Sequence, residues 1–277
     1  MNAVPDKRES LRESLGRAGS VLVAYSGGVD STYLAWEAHQ VLGDRALAVT
    51  ANSPSYPRSH REMAERVARE FGFAHRFVET AELHDPRYAE NSQSRCYFCK
   101  SELFDVLETL RSQTGFEAVA YGINRDDTSD FRPGHRAAEE HRVLSPLLDA
   151  GLGKQEIRDL SREAGLPTAD LPASACLSSR IPYGMEVTPQ KLDQIDRAED
   201  ALRQLGFRQV RVRHHGDLAR IEIAADELPR ALDPRETRRM SRALHDLGFR
   251  WVSLDLDGYR TGSLNEVLQI GPAPERS

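Results

Sequence analysis

Ser26-Gly27-Gly28-Val29-Asp30-Ser31 sets two glycines between hydroxyls and a carboxylate, directly after the apolar run Val21 to Tyr25. Glycine tolerates positive φ and lets a ligand approach the main chain, while Ser26 and Ser31 add hydroxyl donors. An amphipathic stretch carrying Leu34, Ala35, Ala38, Val41 and Leu42 follows, so a helix N-terminus points back at the turn. An anion, and above all a phosphate, belongs there. The spacing fits neither Gly-x-x-x-x-Gly-Lys-Ser/Thr nor Gly-x-Gly-x-x-Gly. An acidic loop, Asn124 to Gly134, offers Asp126, Asp127 and Asp130 as carboxylates for a magnesium ion held against phosphates; the alternative is a solvated acidic turn. Three cysteines form a third group. Cys96-Tyr-Phe-Cys99 by itself fits a redox disulfide, a zinc half-site or iron-sulfur ligation. With Cys176, three thiolates could hold three irons of a 4Fe-4S cluster and leave the fourth open to an exogenous ligand such as sulfide. The competing structural zinc is weakened because no histidine stands at the usual spacing from any of the cysteines. Arg180, close to Cys176, could lower the thiol pKa or hold an anionic substrate, against an inert packed cysteine with a surface arginine beside it. Finally, Arg211 and Arg213 are two apart on an expected strand and leave one face, as a phosphate grip or as solvated charges on an edge.

The elements that must position these groups follow from periodicity. Strands are expected at Val21 to Tyr25, Arg45 to Ala51, Arg76 to Glu79 and Ala118 to Gly122. Between them lie the helix after Ser31, a helix opened by a Ser59-x-x-Glu62 capping box with Met63, Val67 and Phe71 inward, and a helix from Lys100 to Ser112 that Cys96 and Cys99 immediately precede. Alternation of this kind predicts an α/β fold with a doubly wound parallel sheet. Its ligand crevice would lie beyond the carboxyl ends of the strands, where the glycine turn and the loops after Ala51 and Gly122 converge. A helix from Lys154 to Ala164 leads to the irregular segment Pro172 to Gly184, which holds Cys176, Ser178, Ser179 and Arg180. Thr188-Pro189 then opens a helix running to Leu205. Strands at Phe207 to Arg213 and Leu218 to Ala224 are joined across His214 to Asp217, with both histidines expected as turn residues. A helix from Asp233-Pro234 and a strand Phe249 to Asp255 complete a second, smaller α/β domain. The expected division is 1–170 for the nucleotide domain, 171–186 for a cysteine-bearing active-site loop and linker, and 187–277 for the small domain.

The 277 residues suffice for two domains with real cores, and 39% hydrophobic with 29% charged residues is a soluble, globular composition. No apolar run approaches a membrane span, and Met1 to Gly16 is polar rather than a secretory signal, so a cytoplasmic protein is expected. A net charge of −6 argues against broad nucleic-acid binding, and three cysteines are too few for a disulfide scaffold.

Ser-Gly-Gly-x-Asp-Ser resembles the PP-loop of the ATP pyrophosphatases, which cleave ATP between the α and β phosphates. With the loop ending Arg132-Pro133-Gly134, Ala175-Cys176-Leu177, Ser179-Arg180-Ile181-Pro182-Tyr183-Gly184, Gly258-Tyr259-Arg260 and Gly262-Ser263, the chain resembles, over nearly its whole length, the LarE family of ATP-dependent sulfur-insertion enzymes that help build the nickel-pincer cofactor of lactate racemase. The resemblance implies that Mg-ATP adenylylates a carboxylate of pyridinium-3,5-dicarboxylate mononucleotide and that sulfur then displaces AMP, twice over. It implies ATP contacts at Ser26, Gly27, Gly28, Asp30, Ser31, Asn124 and Asp127, with magnesium on Asp30. Arg211 and Arg213 would take the substrate phosphate, and Ser179, Arg180 and Glu199 would stand near the substrate. In single-cysteine members the counterpart of Cys176 gives up its own sulfur and becomes dehydroalanine. In three-cysteine members a 4Fe-4S cluster, here on Cys96, Cys99 and Cys176, carries sulfide and permits turnover; that version is expected. Homotrimers or hexamers, an upstream carboxylase and a downstream nickel-inserting enzyme are further implications. The rivals are a transfer-RNA thiolase or amidating ligase of the PP-loop class, and a non-catalytic nucleotide sensor with structural zinc.

Overall fold

A computed structural model describes residues 4–129, 133–172 and 175–260. Asp130, Arg132, Gly262 and Ser263, singled out above, lie outside the described residues. The chain divides into two compact units, Met1–Ser174 and Ala175–Ser277, so Cys176 and its loop belong to the second.

The first unit is built on four parallel strands, β1 (Val21–Ala24), β2 (Ala46–Asn52), β3 (His75–Glu79) and β4 (Ala118–Tyr121), in the order β3-β2-β1-β4. The run in β1 is apolar throughout because both its faces are covered. Val21 and Val23 join one core with Leu11 and Leu15 of α1 (Val4–Arg17), Leu34 and Ala38 of α2 (Val29–Leu42) and Val67 of α3 (Arg58–Phe71). Leu22 and Ala24, one residue out of phase, join the other with Phe104 and Leu107 of α5 (Arg95–Thr114) and Ala137 of α6 (Pro133–Glu140). The short helices α4 (Pro86–Ala89) and α7 (Pro146–Asp149) and the longer α8 (Lys154–Glu163) complete the unit.

Two expectations are corrected here. Helix α3 starts at Arg58 with Pro57, φ −59°, at its N-cap, so Ser59 lies inside the helix and makes no capping box. Helix α5 begins at Arg95, so Cys96 lies in its first turn and Cys99 just beyond it, rather than both ahead of the helix. Buried Arg95 hydrogen-bonds Asn91, which sits at φ 57°, and this anchors the helix start upstream of the apolar periodicity. Helix α1 was not expected at all, since Leu11 and Leu15, four apart, carry most of its buried face and the rest is polar.

In the second unit α9 (Pro189–Gln204), β5 (Val210–His215), β6 (Leu218–Ile223), α10 (Leu228–Ala231), α11 (Pro234–Asp246) and β7 (Trp251–Leu254) form a three-stranded sheet with helices. Thr188 caps α9 by accepting from Lys191 N, as Thr-Pro predicts. The hairpin loop is only Gly216-Asp217, with Gly216 at φ 67°, so His214 and His215 are strand residues and not turn residues. Val210 and Val212 enter the core with Ala198, Leu202 and Leu244, which leaves Arg211 and Arg213 on the opposite face of β5.

Candidate active site

The glycine turn of the first unit is organised by its own hydroxyls. Ser31 Oγ accepts from Ser26 N at 3.1 Å, donates to Gly28 O at 3.1 Å and lies 3.0 Å from Ser26 Oγ. Gly27 takes φ 70°, and a Cβ there would press on the Tyr56 hydroxyl, which itself lies 3.0 Å from Ser26 O. The first amides of α2 are left to face outward from the helix start, as an anion site requires. Gly122, just past β4, is what allows α2 to begin so close: a Cβ on it would sit 2.8 Å from Ser31 N.

Asp30, in the first turn of α2, is largely buried, and burial pushes its pKa up against the pull of Lys154. Its Oδ2 receives the Lys154 ammonium at 2.5 Å, while Oδ1 is buried with no hydrogen bond of ordinary geometry, although the Asn124 side chain is near enough to draw the carboxyl's pKa down. A buried carboxylate oxygen short of donors is one that could take a divalent cation. The Asn124 loop folds against the same region: Asn124 is buried, its N–H donates to Asp127 Oδ2 at 3.2 Å and its Oδ1 accepts from Asp126 N. Asp126 is spent on the head of α8, accepting from Lys154 N at 2.7 Å. Asp127 acts on the Asp30 carboxyl through its charge, so these two aspartates and Lys154 share one electrostatic site. Cys96 is exposed and Cys99 half-buried. Three apart near the start of α5, the two cysteines lie on one side of the helix. Among the described residues no group of three His, Cys, Asp or Glu side chains forms a metal site.

In the second unit the charges are buried and paired. Arg180 is fully buried, and its Nε and Nη2 reach the two oxygens of fully buried Glu199 at 2.8 and 3.1 Å. Nη1 donates to the carbonyls of Ala175 and Cys176 at 2.7 and 3.0 Å and to Ser179 Oγ at 3.0 Å. Ser179 adds its own N–H and hydroxyl to the Cys176 carbonyl, at 3.0 and 2.7 Å. Arg180 is therefore not a surface arginine. It fixes the main chain of the cysteine loop, and Glu199 fixes Arg180. Glu199 also accepts from Arg203 and from Val212 N; burial works to raise its pKa, and the Arg180 charge overrides it to hold the carboxyl below its ordinary range.

Arg211 and Arg213 are both 7% exposed, which excludes the solvated-edge alternative. Arg213 makes a two-pronged pair with buried Glu222, 2.9 and 2.7 Å, and donates to Ser179 O at 2.8 Å. Arg211 donates to Val210 O and lies over the Tyr259 ring at 5.3 Å; burial, then the Arg180 charge, pull its pKa down to about 10. A guanidinium penalised in this way gains most from an incoming anion.

Three residues escaped sequence reasoning. Glu222 follows from the hairpin register, which sets it opposite Arg211, but only once the loop is known to be two residues long. Lys154 and Gly122 carry no local signal, because their partners, Asp30 and Ser31, are distant in the chain.

No family model matches the chain. It is 45% identical to an uncharacterized protein of Synechocystis over 95% of this chain and 98% of that one. It is 36% identical to the pyridinium-3,5-bisthiocarboxylic acid mononucleotide synthase of Lactiplantibacillus plantarum over 97% of each. A more distant likeness, 25% over 69% of this chain and 66% of the relative, is to a subunit of the glutamine-hydrolyzing GMP synthase of Thermococcus kodakarensis.

Proposed function

The chain belongs to the LarE family of ATP-dependent sulfur-insertion enzymes, and from that premise we propose that it converts the carboxylates of pyridinium-3,5-dicarboxylate mononucleotide into thiocarboxylates. A substrate carboxylate oxygen attacks the α phosphate of ATP; the bond to the β phosphate breaks and pyrophosphate leaves. A sulfur nucleophile then adds to the acyl carbon, and AMP departs with the bonding electrons. The first step asks for charge neutralisation and positioning rather than covalent work. Ser26, Gly27, Gly28 and Ser31 would cradle the phosphates, Asn124 and Asp127 would close the nucleotide side, and Asp30 would hold a magnesium ion that offsets the leaving group's charge. Buried Arg211 and Arg213 would take the substrate phosphate, near Ser179.

Support for placing sulfur delivery at Cys176 comes above all from its loop, whose carbonyls and hydroxyl are held by a fully buried arginine. Cys96, Cys99 and Cys176 would hold a 4Fe-4S cluster, which when bound supplies inorganic sulfide and spares the polypeptide. On this reading an upstream carboxylating enzyme would supply the dicarboxylate and a downstream nickel-inserting one would take the product.

The test is intact mass, iron and acid-labile sulfide content of anaerobically reconstituted protein, before and after Mg-ATP and the dicarboxylate nucleotide. Pyrophosphate release, bound iron, an unchanged polypeptide mass and more than one product per chain are expected. Loss of one hydrogen sulfide equivalent at Cys176 without iron would make the chain a single-turnover donor. No pyrophosphate release would overturn the reading and favour a nucleotide sensor.

A further inference from the structure

The peptide joining Ser26 to Gly27 can face either of two ways, and the glycine itself does not choose. Turning that peptide over would carry Gly27 from φ 70° to a negative φ, and glycine occupies both regions about as readily. One contact from outside the turn makes the choice. Among the described residues Ser26 O accepts from the Tyr56 hydroxyl alone, at 3.0 Å. The phenol has one proton and a second carbonyl in reach, His60 O at 3.2 Å, but that carbonyl lies inside α3, where the helical ladder already serves it. Burial pushes the Tyr56 pKa up, so the hydroxyl stays a donor. Tyr56 is itself held: its N–H donates to Ser53 O at 2.9 Å, the buried Ser53 and Ser55 hydroxyls lie 2.9 Å apart and both reach buried Glu82, and Pro57 follows at the N-cap of α3. A trans peptide sets its N–H opposite its C=O. With Ser26 O drawn to Tyr56, the Gly27 N–H therefore points the other way, and it donates to no acceptor among the described residues.

Resting on the ATP-dependent reading above, we propose that Tyr56 is a positioning residue: by holding Ser26 O it keeps the Gly27 N–H presented to the polyphosphate of ATP. It acts through the peptide rather than on the nucleotide. Of the two orientations, one offers the anion an N–H and the other a carbonyl oxygen, and the phenol fixes the first before the anion arrives. The loop after β2, anchored by Glu82, thereby sets the anion affinity of a turn made by β1 and α2.

Tyr56→Phe in the full chain keeps the ring and removes the proton. It is expected to weaken Mg-ATP and magnesium tripolyphosphate by the same factor, about 3- to 10-fold by calorimetry, and replacing Tyr56 with 4-aminophenylalanine, which returns an N–H donor, should restore both. Ser-Gly occurs once in the chain, so ¹³C-carbonyl serine with ¹⁵N-glycine reports the Gly27 amide alone. In the unaltered protein that resonance should be single and should move on adding Mg-ATP, which decides the matter even if the phenylalanine variant does not fold. In Tyr56→Phe it should double or broaden before any ligand is added, as a peptide with two orientations does. Unchanged ATP affinity in Tyr56→Phe, a loss seen with ATP but not with tripolyphosphate, or a Gly27 resonance indifferent to ATP or to the substitution would overturn the proposal and leave the ATP-dependent reading standing. If the unaltered chain binds no ATP, that reading itself fails first.

Discussion

The two units carry buried carboxylates, Asp30 and Glu199, in opposite ways. Glu199 is fully enclosed and meets two guanidiniums and a main-chain N–H, so its oxygens are well served by fixed donors. Asp30 has one ammonium, on a flexible stem, and one oxygen without a hydrogen bond of ordinary geometry, with only the Asn124 side chain near it. A carboxylate with every partner fixed holds a scaffold still; a carboxylate short of partners is ready to accept one. In the second unit the cysteine loop is preorganised, whereas in the first the Asp30 carboxylate is left short of fixed partners.

The largest expected effect is at the fixed end of that contrast. Glu199→Ala leaves Arg180 buried without its carboxylate and should cost about 3–5 kcal/mol, read from urea unfolding of the second unit followed by Trp251 fluorescence. A much smaller loss would mean that the cysteine loop is held by something other than this pair. Next, Gly122→Ala drives a Cβ to 2.8 Å from Ser31 N, a main-chain atom that cannot step aside. About 1–3 kcal/mol of stability should go, and ATP affinity with it, measured by calorimetry. ATP binding unchanged by this substitution would separate the glycine turn from the nucleotide.

Smaller again is a pH effect in the second unit. His214 is 4% exposed, stacks edge-on against Phe249 and has Nε2 3.0 Å from Gln194 Oε1; burial foremost, then Lys191 and His215, lower its pKa, with Asp217 opposing. The unfolded chain therefore binds the proton more readily than the folded one. The stabilisation is complete above the ordinary histidine range and is lost as pH falls through it toward the depressed folded value. The melting temperature of the unit should fall between neutral pH and about pH 5, and His214→Gln should flatten that slope. The least change is expected from Asp226→Ala, since Arg208 and Asp226 are 73% and 67% exposed. Their separation in water leaves the unfolding midpoint where it was.

The first unit was legible because its signals are local. Alternating apolar runs gave the strand positions of β1 to β4, and the glycine turn sits where a strand meets a helix. The misses have a common cause. Arg95 anchors the start of α5 through Asn91, and Pro57 pre-empts the capping box at Ser59, so side-chain and proline geometry outweighed the pattern. The second unit misled most at Arg211, Arg213 and Arg180, whose charge argues for solvent by composition alone. Each is buried; Arg180 is paired with Glu199, which no spacing rule connects to it, and Arg213 with Glu222, which the hairpin register places near only once the loop length is known.

The residue types and their order determined the parallel α/β class, the glycine turn between β1 and α2 and the family. Tertiary structure decided which charges face one another. Lys154 reaches Asp30 across 124 positions, and Gly122 clears Ser31 across a sheet. Such pairings are set by strand order and helix packing, and a periodicity of two or 3.6 residues carries no record of them.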